Sequence, residues 1–296
     1  MTGAKPFLPE FEERFADVKG VRVRYFVGGA GSPLVLVHGL GGAAANWTML
    51  APALARRRRV VIPELPGHGG SAPLAATPAL DAFADRVGLV AEREGCLPAP
   101  LVGHSMGGLV SLRLALRRPE AVTGVVLAAS AGIRSSTRFA EAALHVLAFV
   151  QPGRRIAPFR RRVARMPWLR RLAFGYWGAA DPPALTPHAA EAFLVGPALH
   201  TDVASAARAL VLDDPRPDLD RVHCPCLVLW GAADNQVPVD DAFEYARRLR
   251  APLRIVPGCG HLLVGERPDA CLDAIESFLD RIGELDELPA QAEALG

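Results

Sequence analysis

Residues Gly103-His104-Ser105-Met106-Gly107 set a hydroxyl nucleophile between two glycines. An apolar run, Pro100-Leu101-Val102, leads into them, and a helical pattern of apolar residues (Leu109, Val110, Leu112, Leu114, Ala115) leads away. G-x-S-x-G at a strand-to-helix junction is a turn that lifts the serine clear of its neighbours, so sharp that side chains at Gly103 or Gly107 would clash. A helix starting just behind the serine aims its N-terminal N–H groups and positive dipole end at any negative charge developing there. A hydroxyl is a weak nucleophile at its own pKa and needs a base within hydrogen-bond reach.

Two further residues supply that need, each after its own apolar run. Cys226-Leu227-Val228-Leu229-Trp230 is followed by Gly231-Ala232-Ala233-Asp234, and Leu253-Arg254-Ile255-Val256 by Pro257-Gly258-Cys259-Gly260-His261. Of the eight histidines, His261 is the best base, held out by a glycine-flanked turn ahead of Glu266-Arg267-Pro268-Asp269 at a helix start. Asp234 would hold the imidazole in one tautomer and stabilise the imidazolium. Its competing use, as cap of a helix beginning near Val239, is undercut by the closer caps Asp240 and Asp241. Asp213 and Asp214, in a proline-rich linker, are weaker rivals for the acid. His38, His68 and His104 sit in glycine-rich turns and read as structural hydrogen-bonding groups. His145, His188, His200 and His223 read as surface or core residues.

Other motifs fall in a fixed order with these. Leu34-Val35-Leu36-Val37 ends in His38-Gly39-Leu40-Gly41-Gly42, Arg59-Val60-Val61-Ile62 precedes Pro66-Gly67-His68-Gly69-Gly70-Ser71, and Arg117-Arg118-Pro119-Glu120 precedes Val122 to Leu127. With serine, acid and histidine in that sequence, the chain resembles the α/β-hydrolase superfamily from about Phe11 to Ile282. Some members carry the acid after the preceding strand, where this chain reads Ala128-Ala129-Ser130, so the resemblance implies a triad of Ser105, Asp234 and His261. It also implies an oxyanion hole built from the backbone N–H groups of Leu40 and Met106. The expected activity is that of a serine hydrolase needing neither cofactor nor metal, which cleaves carboxylic esters of small to medium apolar substrates through an acyl-enzyme.

Alternatives share the same triad. Carbon–carbon bond hydrolases of ring-cleavage products usually have a Gly-Pro-Gly-like oxyanion loop and a tryptophan after the histidine. This chain has Leu40-Gly41-Gly42-Ala43 and Leu262-Leu263 instead. Lactonases, thioesterases and acyltransferases differ in pocket shape and not in triad. Dehalogenases and epoxide hydrolases of the superfamily use an aspartate where this chain has Ser105. A ligand-binding, receptor-like protein would keep the fold without turnover, and such proteins often lose a triad member.

These residues need a frame to hold them together. Residues 11–27 alternate as a two-stranded hairpin with Lys19-Gly20 at its turn. Strands over 34–37, 59–62, 100–103 and 122–127 then alternate with helices near 46–55, 78–94 and 106–118. That rhythm predicts an α/β class fold: a doubly wound, mostly parallel central sheet with catalytic loops at the carboxyl ends of its strands. From Ile133 to about Leu219 strand patterning stops and prolines punctuate helical stretches, so residues 133–219 are expected to be an inserted helical cap on a core of residues 1–132 and 220–296. Its aromatics Trp168, Phe174, Trp177 and Phe193, with Trp47 of the core, are expected to wall an apolar pocket. The cap arginines and the Arg56–Arg59 run read as solvated faces.

Half of the 296 residues are hydrophobic, enough for a large buried core, and a net charge of +2 gives no reason to expect nucleic acid. No signal-peptide pattern and no apolar run of membrane-spanning length is present. The five cysteines are scattered, and Cys224-Pro225-Cys226 lacks zinc-knuckle spacing. A cytoplasmic protein with reduced thiols and a small-molecule ester as its partner is the expectation.

Overall fold

The structure, a computed structural model, describes residues 5–75, 79–134, 152–175, 178–200 and 202–294. Lys19 and Gly20 both adopt positive φ, 49° and 72°, between β1 (Glu12–Val18) and β2 (Val21–Gly28). Positive φ at both central residues gives a tight turn whose twist matches that of the strands, which is why this hairpin forms where expected. The chain continues through β3 (Ser32–Val37), β4 (Arg58–Pro63), β5 (Ala99–His104), β6 (Val122–Ala128), β7 (Cys226–Gly231) and β8 (Leu253–Val256).

One eight-stranded sheet results, in the order β1-β2-β4-β3-β5-β6-β7-β8. Only the β1–β2 and β2–β4 pairs are antiparallel; β3 to β8 run parallel. The central strands are buried almost end to end, because helices cover both faces of a parallel sheet. Around it pack α1 (Ala51–Leu54), α2 (Leu80–Arg93) and α3 (Met106–Arg117). The single helix expected near 46–55 is two short pieces, a 3-10 turn over Ala44–Trp47 and then α1. Pro52 stands in the first turn of α1, where its missing N–H leaves no bond unmade.

Between β6 and β7 the described residues form helices and no strand: α4 (Pro152–Ile156), α5 (Arg160–Arg165), α6 (Pro167–Phe174), α7 (Pro187–Phe193), α8 (Val195–Leu199) and α9 (Val203–Val211). Val163, Ala164, Ala173, Phe174, Leu185, Ala189, Ala190 and Leu194 make a second buried cluster, separate from the main core. The far end of this segment is tied to the sheet domain by Arg113 of α3. Its guanidinium donates to Asp213 at 2.6 Å and Asp218 at 2.6 Å. After β7 the chain completes the frame with α10 (Val239–Leu249), α11 (Leu263–Glu266) and α12 (Pro268–Ala294).

Candidate active site

Ser105 stands between β5 and α3 with φ 54° and ψ −122°, a left-handed conformation that a residue with a side chain adopts only when its surroundings force it. The forcing is steric. A methyl group on Gly103 would meet the Gly107 carbonyl oxygen at 2.3 Å, and one on Gly107 would meet the Val37 carbonyl oxygen at 2.2 Å. Two further bonds hold the turn: Ser105 N–H donates to the Ala128 carbonyl at 2.9 Å, and the Ser105 carbonyl accepts from Ala131 N–H at 3.1 Å.

Because β3, β5, β7 and β8 are parallel, the loops that follow them meet at one edge of the sheet. Asp234 follows β7 with its carboxylate fully buried. Its Oδ1 accepts from the N–H groups of Gln236 and Val237, both at 2.9 Å, and its Oδ2 accepts a hydrogen bond from His261 Nδ1–H at 2.9 Å. The carboxylate acts as no helix cap: Pro238 occupies that place before α10. With Nδ1 committed to Asp234, His261 keeps Nε2 as its basic nitrogen. The rival acids are otherwise engaged, Asp213 with Arg113 and Asp214 with Arg216.

His104, next to Ser105, links the serine turn to the histidine loop. Its Nε2–H donates to the His261 carbonyl at 2.8 Å, and the two rings lie 5.0 Å apart. Burial, then the neighbouring His261, pushes its pKa down to about 3, so it stays neutral and structural. The loop after β3 comes in from the other side: a methyl on Gly39 would lie 2.8 Å from Ser105 Cβ. His38 fixes that loop by donating from Nδ1 to the Gly39 carbonyl and accepting the Leu65 N–H at Nε2, and burial holds its pKa well below the usual value. Among the described residues no acceptor takes the N–H of Leu40 or of Met106. Leu40 follows Gly39 and Met106 follows Ser105 in the chain.

Sequence reasoning passed over Glu266. Its carboxylate is buried and accepts the N–H of Gly260, the residue before His261, at 3.1 Å and that of Ala180 at 2.8 Å. His261 N–H in turn donates to the Gly178 carbonyl at 2.5 Å. The histidine loop and the segment from Gly178 to Ala180 are thus stitched together from both sides. Burial raises the Glu266 pKa, while the N–H donors favour its charged form. The available signal was an acid closing the apolar run Leu262-Leu263-Val264-Gly265, which reads equally well as a helix-start residue. Glu64 is a second such case: fully buried, it accepts from Ala44 and Gly70 N–H groups, which follow β3 and β4, and pairs with Arg24 of β2 at 3.6 Å.

The expected aromatic wall is only partly gathered. Trp47 is fully buried in the main core, and Phe174 lies inside the second cluster. Phe193 bridges the two clusters and packs on the histidine side: a methyl on Gly265 would come within 2.4 Å of its ring. Trp168 is 56% exposed, which corrects its assignment to a pocket wall, since an eight-residue helix buries only one face and this ring is on the other. Trp177 lies outside the described residues.

A sequence profile of the alpha/beta hydrolase family matches residues 34–274. The chain is 34% identical over 273 residues to the dihydrolipoyllysine-residue acetyltransferase component of the acetoin cleaving system of Pseudomonas putida, covering 89% of this chain and 68% of that one. It is 41% identical over 118 residues to 2-hydroxymuconate semialdehyde hydrolase of Pseudomonas sp. (strain CF600), a match spanning 38% of this chain and 42% of the relative. Bromoperoxidase from Bacillus anthracis superposes with a TM-score of 0.76 at 20% identity, covering 91% of this chain and all of that one, 100%.

Proposed function

The chain belongs to the alpha/beta hydrolase family, and on that premise we propose that it is a serine hydrolase of carboxylic esters, working through an acyl-enzyme. The observation that carries this reading is the Asp234–His261 hydrogen bond of 2.9 Å beside a serine held at positive φ. In the proposed sequence, Ser105 Oγ bonds to the ester carbonyl carbon as its proton passes to His261 Nε2. The resulting oxyanion takes hydrogen bonds from Leu40 and Met106 N–H, each such donor contributing about 3–4 kcal/mol to the transition state. Collapse expels the alcohol, which leaves with the proton from His261. Water then repeats the cycle on the acyl-Ser105 ester and releases the acid.

Residues 133–219 act in this reading as a cap, with Phe193 lining an apolar acyl pocket that favours uncharged esters of small to medium size. A carbon–carbon bond hydrolase is the second reading, favoured by the similarity to 2-hydroxymuconate semialdehyde hydrolase. Leu40-Gly41-Gly42 and Leu262 in the corresponding loops weigh against it. A panel of p-nitrophenyl esters of rising chain length, run beside a ring-fission dienone, tests the two. Ester turnover that is lost in Ser105→Ala supports the first, and turnover confined to the dienone overturns it.

A further inference from the structure

The helical segment carries a surface that this chemistry leaves unused. From Ala142 to Ala180 the sequence holds eight arginines and no aspartate or glutamate, in a chain whose net charge is only +2. Four of the eight have partners, Arg154 among them. Arg170 is buried and donates to the carbonyls of Ala164, Pro182 and Pro183, while Arg160 and Arg161 share Glu191. Arg155, Arg162, Arg165 and Arg171 are exposed, and none pairs with a carboxylate among the described residues.

Large apolar side chains stand among these arginines. Phe159 is 64% exposed, Trp168 56% and Leu172 68%. Trp168 and Leu172 are four apart on α6 and so share a face, as do Arg161 and Arg165 on α5. Both helices turn their opposite faces (Val163 and Ala164, Ala173 and Phe174) into the second buried cluster. Their exposed faces therefore both look away from it, towards solvent. Beside them an open hollow of about 350 Å³ is lined by Pro158, Phe159, Arg160, Arg161 and Arg162.

Solvation explains exposed arginines, but it does not explain a tryptophan, a phenylalanine and a leucine standing in water beside them. A basic helical face with tryptophan, phenylalanine and leucine matches the interfacial layer of a bilayer, where rings and aliphatic stems enter the acyl boundary. Guanidinium groups stay at the level of the phosphates, which they bind in a planar, forked geometry. A rigid acidic protein would satisfy the charge, but the rings sit on convex helix faces that a deformable lipid layer covers more readily. We propose that the exposed face of α5 and α6, with Arg155, is a docking surface for an anionic lipid bilayer. Phe159, Trp168 and Leu172 enter the interface, and Arg155, Arg162, Arg165 and Arg171 meet lipid phosphates. No helix among the described residues is long and apolar enough to cross a membrane, so the contact is peripheral.

Co-sedimentation of the full chain with vesicles of phosphatidylcholine, alone or with about one third phosphatidylserine, tests this. The partition to anionic vesicles should exceed that to neutral ones by about tenfold or more and weaken as salt rises. The variant with Arg155, Arg162, Arg165 and Arg171 all changed to serine should lose this preference, and Phe159→Ser with Leu172→Ser should weaken binding at unchanged charge. Circular dichroism and melting confirm that both variants fold. Tryptophan emission should shift to the blue on anionic vesicles in the wild type and not in Trp168→Phe. Equal partition to both vesicle types, or undiminished anionic binding by the four-arginine variant, overturns the proposal. So does retention on heparin, lost in that variant, with no vesicle binding by the wild type: the patch then recognises a soluble polyanion.

Discussion

His104 Nε2 donates to the backbone carbonyl of His261 at 2.8 Å, so the residue beside the candidate nucleophile holds the loop of the candidate base. The serine turn and the histidine loop are thereby one mechanical unit, although 157 positions separate the two residues. Disturbing either side should be felt in turnover before it is felt in folding.

Asp234→Asn should reduce kcat by about three to four orders of magnitude while the protein stays folded, because an amide cannot both accept from His261 Nδ1 and keep its other contacts without favouring the wrong tautomer. Combined with Ser105→Ala the losses should not add. Asp213→Asn and Asp214→Asn should turn over near the wild-type rate, since Arg113 and Arg216 hold those carboxylates. Steady-state kinetics on one ester decides this, and loss of activity in Asp213→Asn alone would reassign the acid.

Glu266→Gln should lower kcat about tenfold or more with a smaller change in KM. One carboxylate oxygen becomes an NH2 group facing a backbone donor, at Gly260 or at Ala180, and a buried donor left unsatisfied costs about 1–3 kcal/mol. Amide exchange at Gly260 and Ala180 should quicken in the variant, reporting the loosened seam directly. Unchanged exchange at both, with unchanged kcat, would leave Glu266 without a positioning role.

Acid should weaken the fold through its buried histidines. Burial pushes His104 and His200 down to about 3 and His68 to about 4, against about 6.5 in an unfolded chain. Between those values the unfolded state binds more protons, so stability rises with pH there and is lost as pH falls below about 6.5. The buried carboxyls of Glu64 and Glu266, raised in pKa, act in the opposite sense, so a variant is needed to isolate the histidines. Urea midpoints at pH 7 and 5 should fall with acid in the wild type, and the fall should be shallower in His200→Gln. An equal or steeper fall in the variant would contradict this account.

Phe193→Ala should shift preference towards longer acyl chains, by about fourfold in kcat/KM per added methylene, since each buried methylene is worth about 0.8 kcal/mol. The ester panel measures it. An unaltered chain-length profile would remove Phe193 from the proposed pocket.

The sheet was legible because its signals are local and steric. The alternating hairpin around Lys19-Gly20, the apolar runs of β3 to β7 and the Gly103–Gly107 turn each demand one conformation whatever surrounds them. Asp234 and His261 were legible because each closes such a run. What stayed hidden depends on which elements face each other. Nothing in α6 alone says that Trp168 is on the solvent side and Phe174 on the buried side, since a short helix shows its inward face only against a partner. Glu266 looked like a helix-start acid because its partners, Gly260 and Ala180, come from two different parts of the chain. Arg113 meets Asp213 and Asp218 about a hundred residues on, a distance no local pattern spans.

The proposal that Ser105 forms an acyl-enzyme is tested most directly by rapid mixing with a p-nitrophenyl ester, acid quench and peptide mass spectrometry. The account predicts a burst of p-nitrophenol close to one equivalent when deacylation limits turnover, with the acyl group on the peptide containing Ser105 and absent in Ser105→Ala. Turnover that persists in Ser105→Ala, or an acyl group found on any other residue, would contradict it.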